Sequence, residues 1–192
     1  MKINARLLFL ALPLSLAATA FAQHETFTVS PDASRVGFAL NGTGHHVEGV
    51  FHVQDGTIQF DPAAQTISGS IVVAANSGNS SDSGRDKKMN SEVLNSDKFT
   101  EITFVPKSYT GKLAATGDST IQVSGVFTLH GSSHDITVPM QVHIAGSSLE
   151  AKGQFVVPYV KWGLKDPSIF ILKVAKQVDI DLDLKGGITP AS

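Results

Sequence analysis

The 192-residue chain has no cysteine. No disulfide framework can brace it, and no cysteine-linked lipid can anchor it. It also lacks a basic run, with 15 Lys and Arg against 17 Asp and Glu and a formal charge of −2. Without clustered cations to grip phosphates, nucleic acid is not an expected partner. Beyond residue 22 no stretch approaches the ~20 consecutive apolar residues that cross a bilayer, so the mature chain should be soluble, with no stable membrane anchor. Missing too are the G-x-S-x-G elbow, the H-E-x-x-H zinc helix and the G-x-x-x-x-G-K-[ST] phosphate loop. No nucleophile is paired with a base at a recognisable spacing, so catalysis is not expected.

What is present begins with a leader. Lys2 and Arg6 form a positive start, Leu7 to Ala18 an apolar stretch interrupted by Pro13, and Ala20-Phe21-Ala22 a small-residue cleavage site. This pattern predicts a signal peptide over residues 1–22, cut near Ala22, and export to the periplasm. Residues 23–192 then form one domain of about 170 residues, enough for a sizeable core. Loss of Lys2 and Arg6 takes the formal charge to −4.

The mature chain alternates. Val178, Ile180, Leu182 and Leu184 interleave with Gln177, Asp179, Asp181 and Asp183. A strand with one dry and one wet face shows this period of two. The same rhythm predicts strands at Glu25–Ser30, Arg35–Asn41, Val47–Gln54, Thr57–Phe60, Thr66–Ala75, Ile121–Leu129, Leu149–Val157 and Phe170–Leu184. Gly131-Ser132-Ser133 links Ile121–Leu129 to a hairpin partner carrying Ile136, Val138, Met140, Val142 and Ile144. Pro139 falls on the polar phase of that partner, which predicts an edge or a bulge. About eight strands in hairpin order point to an all-β up-and-down barrel or a sandwich. Two segments break the rhythm. In Arg85–Asn95, Met89, Val93 and Leu94 fit one face of a short helix, with Ser91 as an internal cap. Pro158–Pro167 is a loop holding Tyr159, Trp162, Lys165 and Asp166, the kind of segment that controls ligand access on a β scaffold.

Several groups invite chemical readings. His45, His46 and His52 are close in sequence, but adjacent strand residues face opposite ways, so solvated histidines are preferred to a metal site. His130 and His134 flank a turn and are read the same way. Asp179, Asp181 and Asp183 alternate with buried residues and read as a wet outer face, not a calcium site. Phenylalanine is the skewed component: 11 Phe against one Trp and two Tyr. Phe38, Phe51, Phe127 and Phe155 occupy apolar phases of separate strands. An eight-stranded barrel can be packed solid or can hold one small ligand, and periodicity does not choose between these.

A longer pattern does. Arg85-Asp86-Lys87-x-Met89-x-Ser91-x-x-Leu94 is followed by Phe99-x-x-Ile102-x-Phe104, then by Val123-Ser124-Gly125-x-Phe127-Thr128-Leu129-His130-Gly131-x-x-His134-Asp135-Ile136-Thr137-Val138. With the early Arg35-Val36-x-Phe38 strand, these stretches resemble the YceI-like family of exported polyisoprenoid-binding proteins over roughly residues 25–186. The turn at Gly131-Ser132-Ser133-His134-Asp135 departs from that family's Gly-Val-Thr-Lys-Pro, and the Val157–Ser168 loop resembles only one branch.

The resemblance implies an extended eight-stranded antiparallel barrel of lipocalin-like shape, with a short helical segment near residues 85–95. Its interior would hold an isoprenoid-type lipid, such as a quinone tail or a polyprenol, with no cofactor or metal. Expected wall contacts are Phe38, Phe51, Phe104, Phe127, Phe155, Ile180 and Leu182. Expected mouth contacts are Arg85, Asp86, Met89, Leu94 and Trp162. A strand of ~10 residues at ~3.3 Å each makes a tube near 30 Å long. At ~0.3 kcal/mol per heavy atom, a ~40-atom chain gains ~12 kcal/mol, around nanomolar affinity. Two other classes stand beside this reading: an enzyme using His52 or Asp166 as acid or base, and a filled barrel acting as a stress-related interaction protein.

Overall fold

The computed structural model describes residues 24–190, and the leader expected over residues 1–22 lies outside them. Ten strand segments follow in order: β1 (Glu25–Val29), β2 (Arg35–Gly42), β3 (His45–Phe51), β4 (Val53–Asp61), β5 (Thr66–Ala74), β6 (Glu101–Thr110), β7 (Gly117–Leu129), β8 (Ser132–Ala145), β9 (Ser148–Val157) and β10 (Val178–Pro190). Consecutive strands from β4 to β10 pair in antiparallel fashion. β1 closes the ring, pairing with β4 on one side and β10 on the other.

The ten segments make eight staves. β1 and β2 are one stave interrupted by a 3-10 turn at Pro31–Ala33, and both halves pair with β10. β3 and β4 are likewise one stave, meeting at His52 and pairing with β2 and β1. The architecture is thus a closed eight-stranded antiparallel barrel; the outer edge of β3 is met only by the bridge between Val50 and Asn79.

The strand limits depart from the alternation in three places. The stave expected to break after Gln54 breaks at His52, whose N–H leaves the ladder and donates to Ser77 Oγ at 2.9 Å. A register shift between Val53 and Asp55 absorbs the irregularity. Phe170–Gln177 is not strand. Its backbone is satisfied by the turn after β2 instead: Thr43 N donates to the Lys173 carbonyl (2.8 Å) and Ala175 N to the Asn41 carbonyl (2.8 Å). The β7–β8 turn sits at His130-Gly131, not at Gly131-Ser132-Ser133. Both residues have positive φ (52° and 73°), the two-residue geometry whose twist matches the flanking strands. Pro139 lies where its missing N–H costs little, because the β8–β9 ladder ends beside it at Met140–Gly153.

Between β5 and β6 lies the helical segment. Helix α1 (Ser83–Lys88) is capped by Asp82, whose Oδ1 accepts from Arg85 N at 2.9 Å. A π turn over Met89–Leu94 continues it, and Asn95 ends it in the left-handed conformation at φ 47°. Ser91 is not a cap; its hydroxyl donates back to the Lys87 carbonyl (2.9 Å). This segment, the β2–β3 and β7–β8 turns and the 158–177 loop gather at one end of the barrel, the mouth. The other end, the floor, holds the turns after β4, β6 and β8.

Candidate functional site

Alternation turns every second residue of each stave inward, and the inward set is almost wholly apolar. It encloses a cavity of about 620 Å³ running along the barrel. Phe38 and Phe51 lie together on one side at 5.2 Å between ring centroids, while Phe127 meets Phe155 edge-on at 5.6 Å. Gly49 makes the first pair possible. It faces inward opposite Phe38, and a β-carbon there would stand 2.3 Å from the Phe38 ring. Val36, Val123, Val138, Met140, Val142 and Leu184 fill the wall between the rings.

The floor is sealed by Phe27, Phe60, Ile67, Tyr109, Leu113 and Leu149. Asp61 is fully buried behind them and fixes the turn, its Oδ1 accepting from the N–H groups of Ala63 (2.8 Å) and Ala64 (2.9 Å). The Tyr109 hydroxyl donates to the Asp61 carbonyl at 3.3 Å, and burial, with the Asp61 charge second, raises its pKa.

The mouth is built differently. Asn41, His45, Ser80, Arg85 and Lys88 bring polar atoms to the rim, with Met89, Val93 and Leu94 below them. From the opposite side come Pro167, Ile169, Leu172 and Val174 of the 158–177 loop. The loop is tied down at several points. Tyr159 is buried and donates to the Ala175 carbonyl at 2.8 Å; burial, with Asp166 nearby, pushes its pKa up to about 12. Lys165 Nζ reaches Glu92 Oε2 at 2.6 Å and so bridges the loop to the π turn, and this hydrogen bond holds the Glu92 carboxyl below its usual range. Asp166 is lowered mainly by the Ser168 hydroxyl and N–H.

The cavity brings together all seven expected wall residues, Phe38, Phe51, Phe104, Phe127, Phe155, Ile180 and Leu182, and three of the expected mouth residues, Arg85, Met89 and Leu94. Two expected mouth residues do not line the cavity. Asp86 turns back to accept from the Ser80 N–H (2.9 Å) and hydroxyl (2.6 Å), so it shapes the loop before α1 without meeting the cavity. Trp162, in the 158–177 loop at the mouth, stacks flat on His134 at 3.9 Å and tilts against Phe127 at 5.9 Å without reaching the lining. His45 reaches the rim, His46 bonds Asn41 and Glu48 on the outer face, and His52 and Asp166 do not line the cavity. His130 bonds Asn95 at 2.9 Å and packs on Phe99. On the outer wall Asp181 accepts from Gln154 (2.8 Å) and Asp183 pairs with Lys185 (3.3 Å).

Sequence reasoning placed Tyr159 in the access loop without its anchoring role, and missed Tyr109. Tyr109 and Tyr159 are buried with their hydroxyls satisfied. Tyr109 sits on an apolar phase of β6 and was legible as wall, but its partner, a carbonyl 48 residues away, was not. Leu113, Pro167, Ile169 and Leu172 reach the cavity from loops, where no periodicity marks an inward face.

Comparison with known proteins places this geometry. The model of the YceI-like domain family matches residues 27–186. Among solved structures, Burkholderia cenocepacia BcnA superposes with a TM-score of 0.67 at 22% identity, covering 82% of this chain and 99% of that one. A polyisoprenoid binding domain from Saccharophagus degradans, implicated in plant cell wall breakdown, gives 0.63 at 14% identity, covering 86% and 98%. The Campylobacter jejuni YceI protein gives 0.58 at 12% identity, covering 97% and 98%. No curated protein matches the chain.

Proposed function

The chain belongs to the YceI-like family, and from that premise we propose that it is an exported, periplasmic carrier that holds a long-chain isoprenoid lipid of quinone or polyprenol type inside the barrel, without catalysis or cofactor. The observation that carries the reading is an apolar cavity of about 620 Å³, sealed at the floor and opening at a polar rim. An apolar tail would lie along Phe38, Phe51, Phe104, Phe127, Phe155, Ile180 and Leu182. A polar head would meet Asn41, His45, Arg85 and Lys88 at the rim. That His52 and Asp166 lie off the cavity supports binding over chemistry. A void of this size likewise argues against a filled barrel, since packed interiors leave few gaps larger than a water molecule.

The volume also bounds the tail. At ~30 Å³ per water-sized group the cavity holds roughly twenty groups, or about four isoprene units. At ~0.3 kcal/mol per atom, twenty buried atoms give ~6 kcal/mol, a dissociation constant of tens of micromolar. A ~40-atom chain therefore fills the barrel and continues through the mouth, and only the buried part contributes at this rate. Affinity should rise about tenfold with each added isoprene unit, ~1.5 kcal/mol, and level off beyond about four.

Native mass spectrometry of the protein purified from its own compartment, followed by organic extraction, tests the reading. A bound isoprenoid of uniform mass is the expected result. A chain that arrives empty and takes up neither quinone nor polyprenol from detergent would overturn it. Phe127→Arg should abolish uptake by placing a charge in the apolar wall; unchanged uptake would show that the lipid lies elsewhere. Conversion of the extracted lipid to a new mass, lost in His52→Ala or Asp166→Ala, would favour an enzyme.

A further inference from the structure

Large apolar side chains are well covered over nearly all of the described residues. Four of the five that are prominently exposed among the described residues form one run at the mouth: Ile169 (55% exposed), Phe170 (95%), Ile171 (76%) and Leu172 (47%). The run is built as a spike. Ile169 N donates to the Leu172 carbonyl at 2.9 Å, which pinches the chain so that Phe170 and Ile171 stand at the tip. Its base is pinned, with Val174 N on Ser168 Oγ (2.9 Å) and Lys173 N on Thr43 Oγ1 (3.0 Å).

Charge surrounds the spike. The 158–177 loop carries four lysines (Lys161, Lys165, Lys173 and Lys176) against the single Asp166, in a chain whose total charge is −2. All four lysines are exposed. Lys165 is engaged by Glu92, whereas Lys161, Lys173 and Lys176 have no carboxylate within ion-pair distance among the described residues. Lys87 and Lys88 of α1 add exposed cations, and Lys88 lines the cavity rim from the side opposite the spike. The flanks of the spike, Ile169 and Leu172, themselves line the cavity. An apolar path therefore leads without interruption from the exposed tip to the barrel interior.

We infer that the mouth docks on the surface of an anionic phospholipid bilayer, with Phe170 and Ile171 inserted at the acyl boundary and the flanking lysines among the headgroups. Interfacial binding combines a small buried apolar surface with attraction of cations to anionic lipid, and each lysine near such a surface contributes about fivefold in partitioning. A few apolar residues with unpaired lysines give binding that is reversible and salt-sensitive, as a carrier that must leave again requires. The orientation brings the cavity mouth to face the bilayer, so a lipid tail can pass between them without crossing water. A purely protein partner would not need this continuity between spike and cavity.

The docking takes its purpose from the carrier reading, but its test is separate. The full mature protein, both emptied and loaded, would be sedimented with phosphatidylcholine vesicles with and without phosphatidylglycerol. Binding to the mixed vesicles, weakened by added salt, is expected. The Phe170→Ser/Ile171→Ser double variant should lose at least tenfold, as should Lys173→Gln/Lys176→Gln. Because these side chains are exposed, both variants should unfold at the wild-type temperature and take up lipid from detergent micelles as the wild type does. Failure of uptake from micelles by the wild type would sink the carrier reading and leave the docking standing. Wild type that ignores mixed vesicles, or a tip variant that binds them as well as wild type, would overturn the docking. So would a tip-dependent dimer in analytical ultracentrifugation without vesicle binding, which would assign the spike to a second copy of the chain.

Discussion

At the floor of the barrel, the turn after β4 is fixed from within by the carboxylate of a fully buried aspartate, and a tyrosine hydroxyl locks onto the same residue. At the mouth, the loop after β9 is fixed from outside, by a surface ion pair, by hydrogen bonds to a neighbouring turn, and by one buried tyrosine. The floor thus draws its stability from desolvated contacts, whose loss is expensive. Apart from Tyr159, the mouth relies on contacts that water can replace at little cost. One end is made to stay shut, the other to open, although the same eight staves support both.

Four substitutions or conditions probe that difference. The largest effect belongs to the floor: Phe60→Ala should cost ~3–5 kcal/mol. For a chain of this length that lowers the melting temperature by about 10 °C in calorimetry. Lipid exchange should change far less than stability; a parallel acceleration would erase the distinction between the ends. Next, Asp61→Ala leaves the Ala63 and Ala64 N–H groups without their acceptor and should cost ~1–3 kcal/mol by urea unfolding. Tyr159→Phe removes only the bond to the Ala175 carbonyl, ~0.5–1.5 kcal/mol. Here the order reverses: lipid exchange followed by fluorescence should quicken, because the 158–177 loop loses an anchor. The smallest effect is on pH. The Glu92 carboxyl is lowered from 4.5 by Lys165, so its bridge is present above pH 4.5 and is lost as the pH falls through the lowered value. Exchange should accelerate only in that acid range, and Glu92→Gln should reproduce the acid rate at neutral pH. A variant that still slows with rising pH across that window would show that the bridge does not hold the mouth.

The staves were legible in the sequence because burial imposes period two on every residue of a strand, whatever its partners. That is why Ile180 and Leu182 turn inward while Asp179 is left exposed on the outer face. It is also why Phe38, Phe51, Phe127 and Phe155 could be assigned to one interior from four separate strands. The closed barrel and its lipid came from the family resemblance, since periodicity alone suits a sandwich as well. Loops obey no period, and their side chains go where distant partners lie. Asp86 looked like a rim carboxylate until Ser80 claimed it, and Trp162 stays at the mouth but packs on His134 and Phe127 without reaching the cavity lining. The break at His52 was hidden for a related reason, since its cause is a serine hydroxyl 25 residues downstream. The exposed run Ile169–Leu172 reads as more strand by composition, and only its internal bond from Ile169 N to the Leu172 carbonyl, with the bonds of Lys173 and Ala175 to the β2–β3 turn, shows otherwise.

The seam where β10 meets the first stave has a kinetic consequence. The Ser34 hydroxyl donates to the Lys185 carbonyl at 3.2 Å across 151 residues of chain, whereas β7 and β8 are joined by two. Bringing the seam together costs about 4 kcal/mol of chain entropy before any contact there repays it. The meander from β5 to β10 should therefore form early and the seam last. Until it shuts, the molecule is an open sheet with two free edges and a bare apolar face, the form most exposed to aggregation. A lipid that settles on that face during folding would stabilise it, so lipid supply should raise the yield of refolded protein as well as occupy it.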